Sequence, residues 1–247
     1  LSDSCVTRAF THVGRLPGPG RDRRKQIGGH FPHASRKADS VRAGRLRGIG
    51  ISTVVENTGA GVFPKDQVLP EFGVDGTIDA HTLAQSSGQS HETTFAMVVA
   101  DTLGIDAQRV AIRQSPVDRE LIGNHTGGSR SMAGAGSVCK VAALKAIEQG
   151  RSLAAVELGV EPSQVSYANG VFSSRDAMRQ VSFAELAKQH AQRAGTPLSV
   201  MGEDSVGSTF PNGCHIAEVE IDPETGVTRI VGYTAVDDNG TVISHPI

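Results

Sequence analysis

Two short polar stretches carry the residue types best suited to hold an anion. One is Ser87-Gly-Gln-Ser-His-Glu92, the other Thr126-Gly-Gly-Ser-Arg-Ser131. Each empties into the start of a helix-patterned segment, and a helix start offers unpaired N–H groups and the positive end of its dipole. The hydroxyls of Ser87, Ser90, Thr126, Ser129 and Ser131 can donate or accept, and the Gln89 amide does both. Arg130 could grip a phosphate with two parallel bonds. Gly88, Gly127 and Gly128 let a backbone come close to a ligand, while His91 and Glu92 fall in the first turn after their loop. Taken singly, each stretch reads more readily as ordinary caps and turns. Together, with one strand between them, they suit a clamp on a single large ligand carrying phosphates and a heterocycle.

Other chemistries fail on spacing. No Gly-x-x-x-x-Gly-Lys-Ser/Thr is present, and Gly134-Ala-Gly136 is only a fragment of a dinucleotide fingerprint. His91-Glu92 opens like a zinc-protease motif, but Phe95 stands where the second histidine belongs. Gly127-Gly-Ser-Arg-Ser131 misses the Gly-x-Ser-x-Gly of a serine hydrolase by its last residue. Cys5, Cys139 and Cys214 lie too far apart for a disulfide framework or a metal knuckle, so no metal ligands are assigned.

The elements that must position the two loops are a mixture of hairpins and helices, an α+β body. A charged helical pattern runs from Phe31 to Arg47, and the β-branched run Gly48–Glu56 reads as a buried strand. Asp75-Gly76 signals a hairpin between Glu71–Val74 and Thr77–Leu83, whose second strand delivers the first loop. Ser90 is the candidate N-cap of a helix with a stripe through Phe95, Val98, Val99, Thr102 and Leu103, ended by Gly104. After a short strand, Val110–Ile112, and the second loop comes a well-covered helix, Ser137–Gln149, ended by Gly150. Asn169-Gly170 joins a second hairpin, Ser182 caps a helix to Arg193, and Gly195–Gly213 reads as a polar loop. Asp222–Gly226 turns a third hairpin between Cys214–Ile221 and Val227–Val236.

The 247 residues carry a net charge of −2. This hides an asymmetry: residues 1–50 hold 11 of the 24 Lys and Arg and three of the 26 Asp and Glu, giving +8 against −10 for the remainder. The basic stretch lacks interleaved aromatics, so residues 1–30 are read as a disordered or non-native lead-in rather than a nucleic-acid arm. Apolar runs fall short of the ~20 residues that span a bilayer, which makes a cytoplasmic location the default. The chain begins with Leu and stops after a strand pattern, which suggests a body truncated at both ends, with residues 31–247 a partial domain.

Four segments, in order and spacing, resemble one family. They are Gly88-Gln-Ser-His-Glu-Thr-Thr-Phe95 with Ala100-Asp-Thr-Leu-Gly104, Thr126-Gly-Gly-Ser-Arg-Ser131, Phe210-Pro-Asn-Gly-Cys-His-Ile-Ala-Glu-Val-Glu-Ile-Asp-Pro-Glu-Thr-Gly226, and Arg45-Leu-Arg-Gly-Ile-Gly50. They resemble the molybdenum-binding large subunit of the xanthine dehydrogenase, aldehyde oxidase and aerobic carbon monoxide dehydrogenase family. The resemblance runs from about Phe31 to the last residue and implies a molybdopterin cofactor, the cytosine dinucleotide form in bacterial members. On that carry-over, Gly88 and Gln89 approach the pterin and molybdenum ligands, Ser90, His91 and Glu92 lie by the helix start near the dinucleotide, Ser87 joins them as a cofactor-binding residue, and Thr126–Ser131 form the second cofactor loop. Ser90 departs from the glycine common there. The implied reaction hydroxylates an aldehyde, an N-heterocycle or carbon monoxide with oxygen from water. Electrons leave through 2Fe-2S clusters and FAD on partner subunits or domains of a dimeric assembly. Its glutamate base is expected beyond Ile247, so no catalytic residue is assigned here; a non-catalytic cofactor-binding remnant is the alternative reading.

Overall fold

The computed structural model describes residues 33–59, 61, 63–175 and 178–244, so the basic lead-in lies outside the described residues. In chain order the elements are α1 (His33–Arg42), β1 (Leu46–Val55), β2 (Asp66–Phe72), β3 (Ile78–Thr82), α2 (His91–Leu103), β4 (Val110–Gln114) and α3 (Ser137–Leu158). There follow β5 (Val165–Ala168), β6 (Val171–Ser174), β7 (Gln180–Ser182), α4 (Phe183–Ala194), β8 (Leu198–Ser199), β9 (Gly202–Asp204), β10 (Asn212–Ile221) and β11 (Thr228–Asp238). This is the mixed helix-and-strand body read from the sequence. The chain divides into two compact units, Leu1–Asn57 with Phe210–Thr241, and Thr58–Thr209 with Val242–Ile247.

In the first unit α1 packs on an antiparallel sheet of order β1-β10-β11. The helical pattern stops at Arg42, short of Arg47, because Gly44 (φ 73) turns the chain left-handed and Arg45 N–H closes back on the Ser40 carbonyl. β10 alternates, burying Cys214, Ile216 and Glu218. Glu218 is 1% exposed and accepts hydrogen bonds from Arg36 Nε at 3.1 Å and Arg47 Nε at 2.9 Å. The third hairpin forms as expected, with Asp222 Oδ1 accepting Glu224 and Thr225 N–H and Gly226 at φ 71. One expectation is overturned: β1 is a strand but not a buried one. Among the described residues it pairs with β10 alone, and Leu46, Ile49, Ile51, Val54 and Val55 are all exposed. β-branched residues report strand geometry, not what covers it.

The second unit holds the two loops. Its main sheet runs β4-β3-β2-β8, with β9 also paired to β2. β2 and β3 form the hairpin signalled by Asp75-Gly76, with Gly76 at φ 82. β3 and β4 are parallel, Ile78 opposite Val110 through Thr82 opposite Gln114, and α2 is the connection between them. Two parallel neighbours end at the same edge, so the loop leaving β3 and the loop leaving β4 emerge side by side. Alternation and turn signals did not reveal this pairing. The stretch read as a polar loop, Gly195–Gly213, contains β8 and β9, two and three residues long and too short to show a period.

Two local signals of the sequence hold in the structure. Asn169 (φ 50) and Gly170 (φ 78) turn β5 into β6, and Ser182 caps α4 in a reciprocal box with Glu185. Gly150 does not end its helix: α3 continues to Leu158 and is capped by Gly159 at φ 61. A Cβ on Gly150 would lie 2.4 Å from Phe172 Cζ and 3.1 Å from Phe183 Cε1. The glycine makes room for the ring cluster of Phe72, Tyr167, Phe172 and Phe183 beside α3. Alanine is the better helix former, yet Gly150→Ala is expected to lower the unfolding free energy by about 1–3 kcal/mol through overpacking. Urea unfolding checks the sign.

Candidate cofactor site

The first loop leaves Thr82 at the end of β3 and enters α2 at His91. It is held against the end of β4 by three bonds: Ser115 N–H to the Thr82 carbonyl at 2.8 Å, Ser86 N–H to Gln114 Oε1 at 2.7 Å, and Gln85 Nε2 to Ser115 Oγ at 2.7 Å. Ser87, Gly88 and Gln89 are exposed, and Gly88 (φ 100) has open space where a Cβ would stand. Gln89 folds over its own loop, its Oε1 accepting Ser87 N–H and its Nε2 donating to the Gln85 carbonyl at 3.3 Å.

Ser90 occupies the N-cap position, but its side chain does not cap α2. Its backbone is left-handed, φ 61 and ψ 35, which glycine adopts freely and an L-residue adopts at about 1–2 kcal/mol. That conformation is the physical reason a glycine suits this place, and the serine is strained there rather than merely bulky.

His91 is 4% exposed and stacks on Phe95 with ring centroids 4.6 Å apart. Burial pushes its pKa down, against the opposing pull of the Glu92 charge and a hydrogen bond to the Gln85 backbone. Its buried Nδ1 has no hydrogen-bond partner among the described residues. Glu92 is exposed but engaged, with Gln114 Nε2 donating to its Oε1 at 2.6 Å. The backbone N–H of its own residue and the Gln114 amide keep its carboxyl below the usual range. It braces the helix start against β4.

The second loop meets the first at one atom. Thr126 Oγ1 donates to the Gln85 carbonyl, the oxygen that also takes Gln89 Nε2, and Ser131 Oγ donates to Thr126 Oγ1 at 3.2 Å. Gly127, Gly128 and Ser129 are exposed, with Gly128 (φ 61) and Ser129 (φ 52) consecutive left-handed residues and nothing within 4 Å of the Gly128 Cβ position. A π-helical turn, Met132–Gly136, then feeds α3.

Arg130 departs from its sequence reading. It is buried, and Nη2 lies 2.7 Å from Asp66 Oδ2, with Nε donating to the Gly59 carbonyl at 3.4 Å. A guanidinium removed from water needs a paired charge, and Asp66 supplies it, so the side chain faces inward rather than toward a ligand phosphate. Burial opposes ionisation of Asp66, but bonds from Arg130 and from the Asn124 backbone and side chain hold its pKa low.

The structure thus brings Ser87–Glu92 and Thr126–Ser131 together, turns Arg130 inward, and adds Gln85, Gln114, Asp66 and Asn124, which the sequence reading left out. Gly88 and Gly128 with open space at their Cβ positions, the N-terminus of α2 and the buried, unpartnered Nδ1 of His91 all lie on or beside these two loops. No group of three or more His, Cys, Asp or Glu able to hold a metal stands among the described residues. Such groups would suit a domain that binds an extended polar ligand.

The comparisons place it more closely. A model of the molybdopterin cofactor-binding domain matches residues 29–247. The carbon monoxide dehydrogenase large chain of Afipia carboxidovorans is 30% identical over 90% of this chain and 30% of its own length. Subunit gamma of the 6-hydroxypseudooxynicotine dehydrogenase complex of Paenarthrobacter nicotinovorans is 30% identical over 81% of this chain and 26% of its own. Among solved structures, a Cu,Mo-CO dehydrogenase superposes with a TM-score of 0.76 at 29% identity, covering 89% of this chain and 30% of that one. The chain belongs to the molybdopterin cofactor-binding domain family of molybdenum hydroxylases, and spans under a third of the length of these relatives.

Two outcomes follow from the loop geometry. Ser90→Gly relieves the left-handed strain without losing a cap bond, and should raise the unfolding free energy by about 1 kcal/mol in urea titration. His91, with its pKa below the usual value of about 6.5, refuses a proton that the unfolded chain accepts. Its contribution is therefore intact above that pH and declines as pH falls below it. Melting temperatures compared between about pH 7.5 and 5.5 should fall less in His91→Gln than in the parent.

Proposed function

We propose that the two loops hold a molybdopterin cofactor, in its cytosine dinucleotide form, for a hydroxylase that inserts oxygen from water into an aldehyde, an N-heterocycle or carbon monoxide. The observation that carries this reading is the meeting of both loops on the Gln85 carbonyl, with Gly88 and Gly128 left open beside it. When bound, the group supplies the redox chemistry. The chain's own residues would bind and orient it: the positive end of the α2 dipole suits an anionic group, and the glycine backbones admit a close approach. Gln89 can exchange its bonds within the loop for bonds to the ligand without changing its place. His91 offers a bare nitrogen as acceptor for an N–H or O–H group. Gln114 keeps Glu92 engaged, and no carboxylate among the described residues is nominated as the base. The partners are iron–sulfur and FAD subunits or domains within a dimeric assembly, and the substrate is a small molecule.

The test is metal content in the assembled enzyme. Gln89 is exposed, so Gln89→Ala should leave folding intact while lowering molybdenum per protein, read by elemental analysis, by about 10-fold or more. Full molybdenum occupancy in that variant would contradict the assignment.

A further inference from the structure

We infer that Asp66 and Asn124 are positioning residues for the second cofactor loop, with Arg130 as the third member of one buried pin. The inference rests on the cofactor reading of that loop, and neither Asp66 nor Asn124 belongs to it. Asp66 is the first residue of β2 and is 2% exposed; Asn124 is also 2% exposed. One carboxylate oxygen of Asp66 accepts Asn124 N–H at 2.8 Å and Asn124 Nδ2 at 3.3 Å. The same oxygen lies 3.4 Å from Arg130 Nη1, while the other accepts Arg130 Nη2 at 2.7 Å. The residue just before the loop and the residue near its end are thus fastened to a single side chain. The span between them, residues 125–129, includes the exposed Gly127, Gly128 and Ser129.

The pin is itself held from behind. Asn124 Oδ1 accepts Phe63 N–H at 2.8 Å, its Nδ2 donates to the Phe63 carbonyl at 3.2 Å, and Arg130 Nε reaches the Gly59 carbonyl. Two glycines keep the space clear. A Cβ on Gly134 would stand 2.8 Å from Asp66 Oδ2 and 3.1 Å from Arg130 Nη2, and one on Gly61 would stand 2.4 Å from Asn124 Oδ1. Fixing both ends of a short loop removes most of its conformational freedom before a ligand arrives. Its hydroxyls and glycines then meet the cofactor already in place.

The experiment uses the cofactor-loaded enzyme carrying Asp66→Asn, Arg130→Lys or Gly134→Ala, with Gln89→Ala as a reference. The readout is the rate of pterin release, followed by fluorescence well below the unfolding temperature, beside the circular dichroism spectrum. Asp66→Asn keeps the shape and removes the charge. It should speed release by about 10–100-fold with the spectrum unchanged. Combining Asp66→Asn with Arg130→Met should release no faster than Asp66→Asn alone, since both break one pin. Arg130→Lys, which keeps the charge, should fall between the parent and Asp66→Asn. If Asp66→Asn fails to fold, Arg130→Lys and Gly134→Ala carry the test. Release at the parent rate in the folded pin variants, with fast release from Gln89→Ala, would overturn the inference. Parent-rate release from Gln89→Ala as well would instead overturn the cofactor reading.

Discussion

A buried ion pair between Asp66 and Arg130 governs the geometry of the candidate site. Neither charge could remain inside the protein alone, since breaking such a pair by removing one partner costs about 3–5 kcal/mol. Because each needs the other, the start of β2 and the end of the second loop are brought to one point, 64 positions apart in sequence. Asn124 shares the same carboxylate, so the loop between is closed at its base. The largest charge in the loop is thus neutralised behind the exposed Gly127, Gly128 and Ser129.

A second constraint comes from strand direction. Had β3 and β4 been antiparallel, the two loops would have left opposite edges of the sheet. Their parallel pairing makes α2 a crossover and sets its N-terminus, with the dipole's positive end, next to the loop that follows β4. The Gln85 carbonyl then joins the two, accepting from Gln89 in one and Thr126 in the other. Sheet topology, a backbone acceptor and a buried salt bridge act in series, and the ligand cradle is their product.

Features written locally were legible in the sequence. Asn169-Gly170 needs only two positive φ values and Ser182 with Glu185 only a three-residue spacing, and both appear as read. The two loops were legible for the same reason, as clusters of hydroxyls and glycines ahead of helices. What depended on distant partners was not. Arg130 looked like a phosphate ligand because nothing nearby in sequence announces Asp66. Gly150 looked like a helix end because Phe172 and Phe183, which require its missing side chain, lie 22 and 33 positions on. The exposure of β1 likewise depends on what packs against its faces, which its own residues do not encode. Ser90 departs from glycine in the sequence, and its left-handed backbone gives the departure a physical cause.

On the proposed reading, both loops contact one bound molybdopterin. Hydrogen–deuterium exchange compared between cofactor-loaded and cofactor-free enzyme tests it most directly, since amides facing a bound ligand exchange more slowly. Peptides covering 85–92 and 126–131 should gain protection together. Protection in only one of these loops, or in neither, would contradict it.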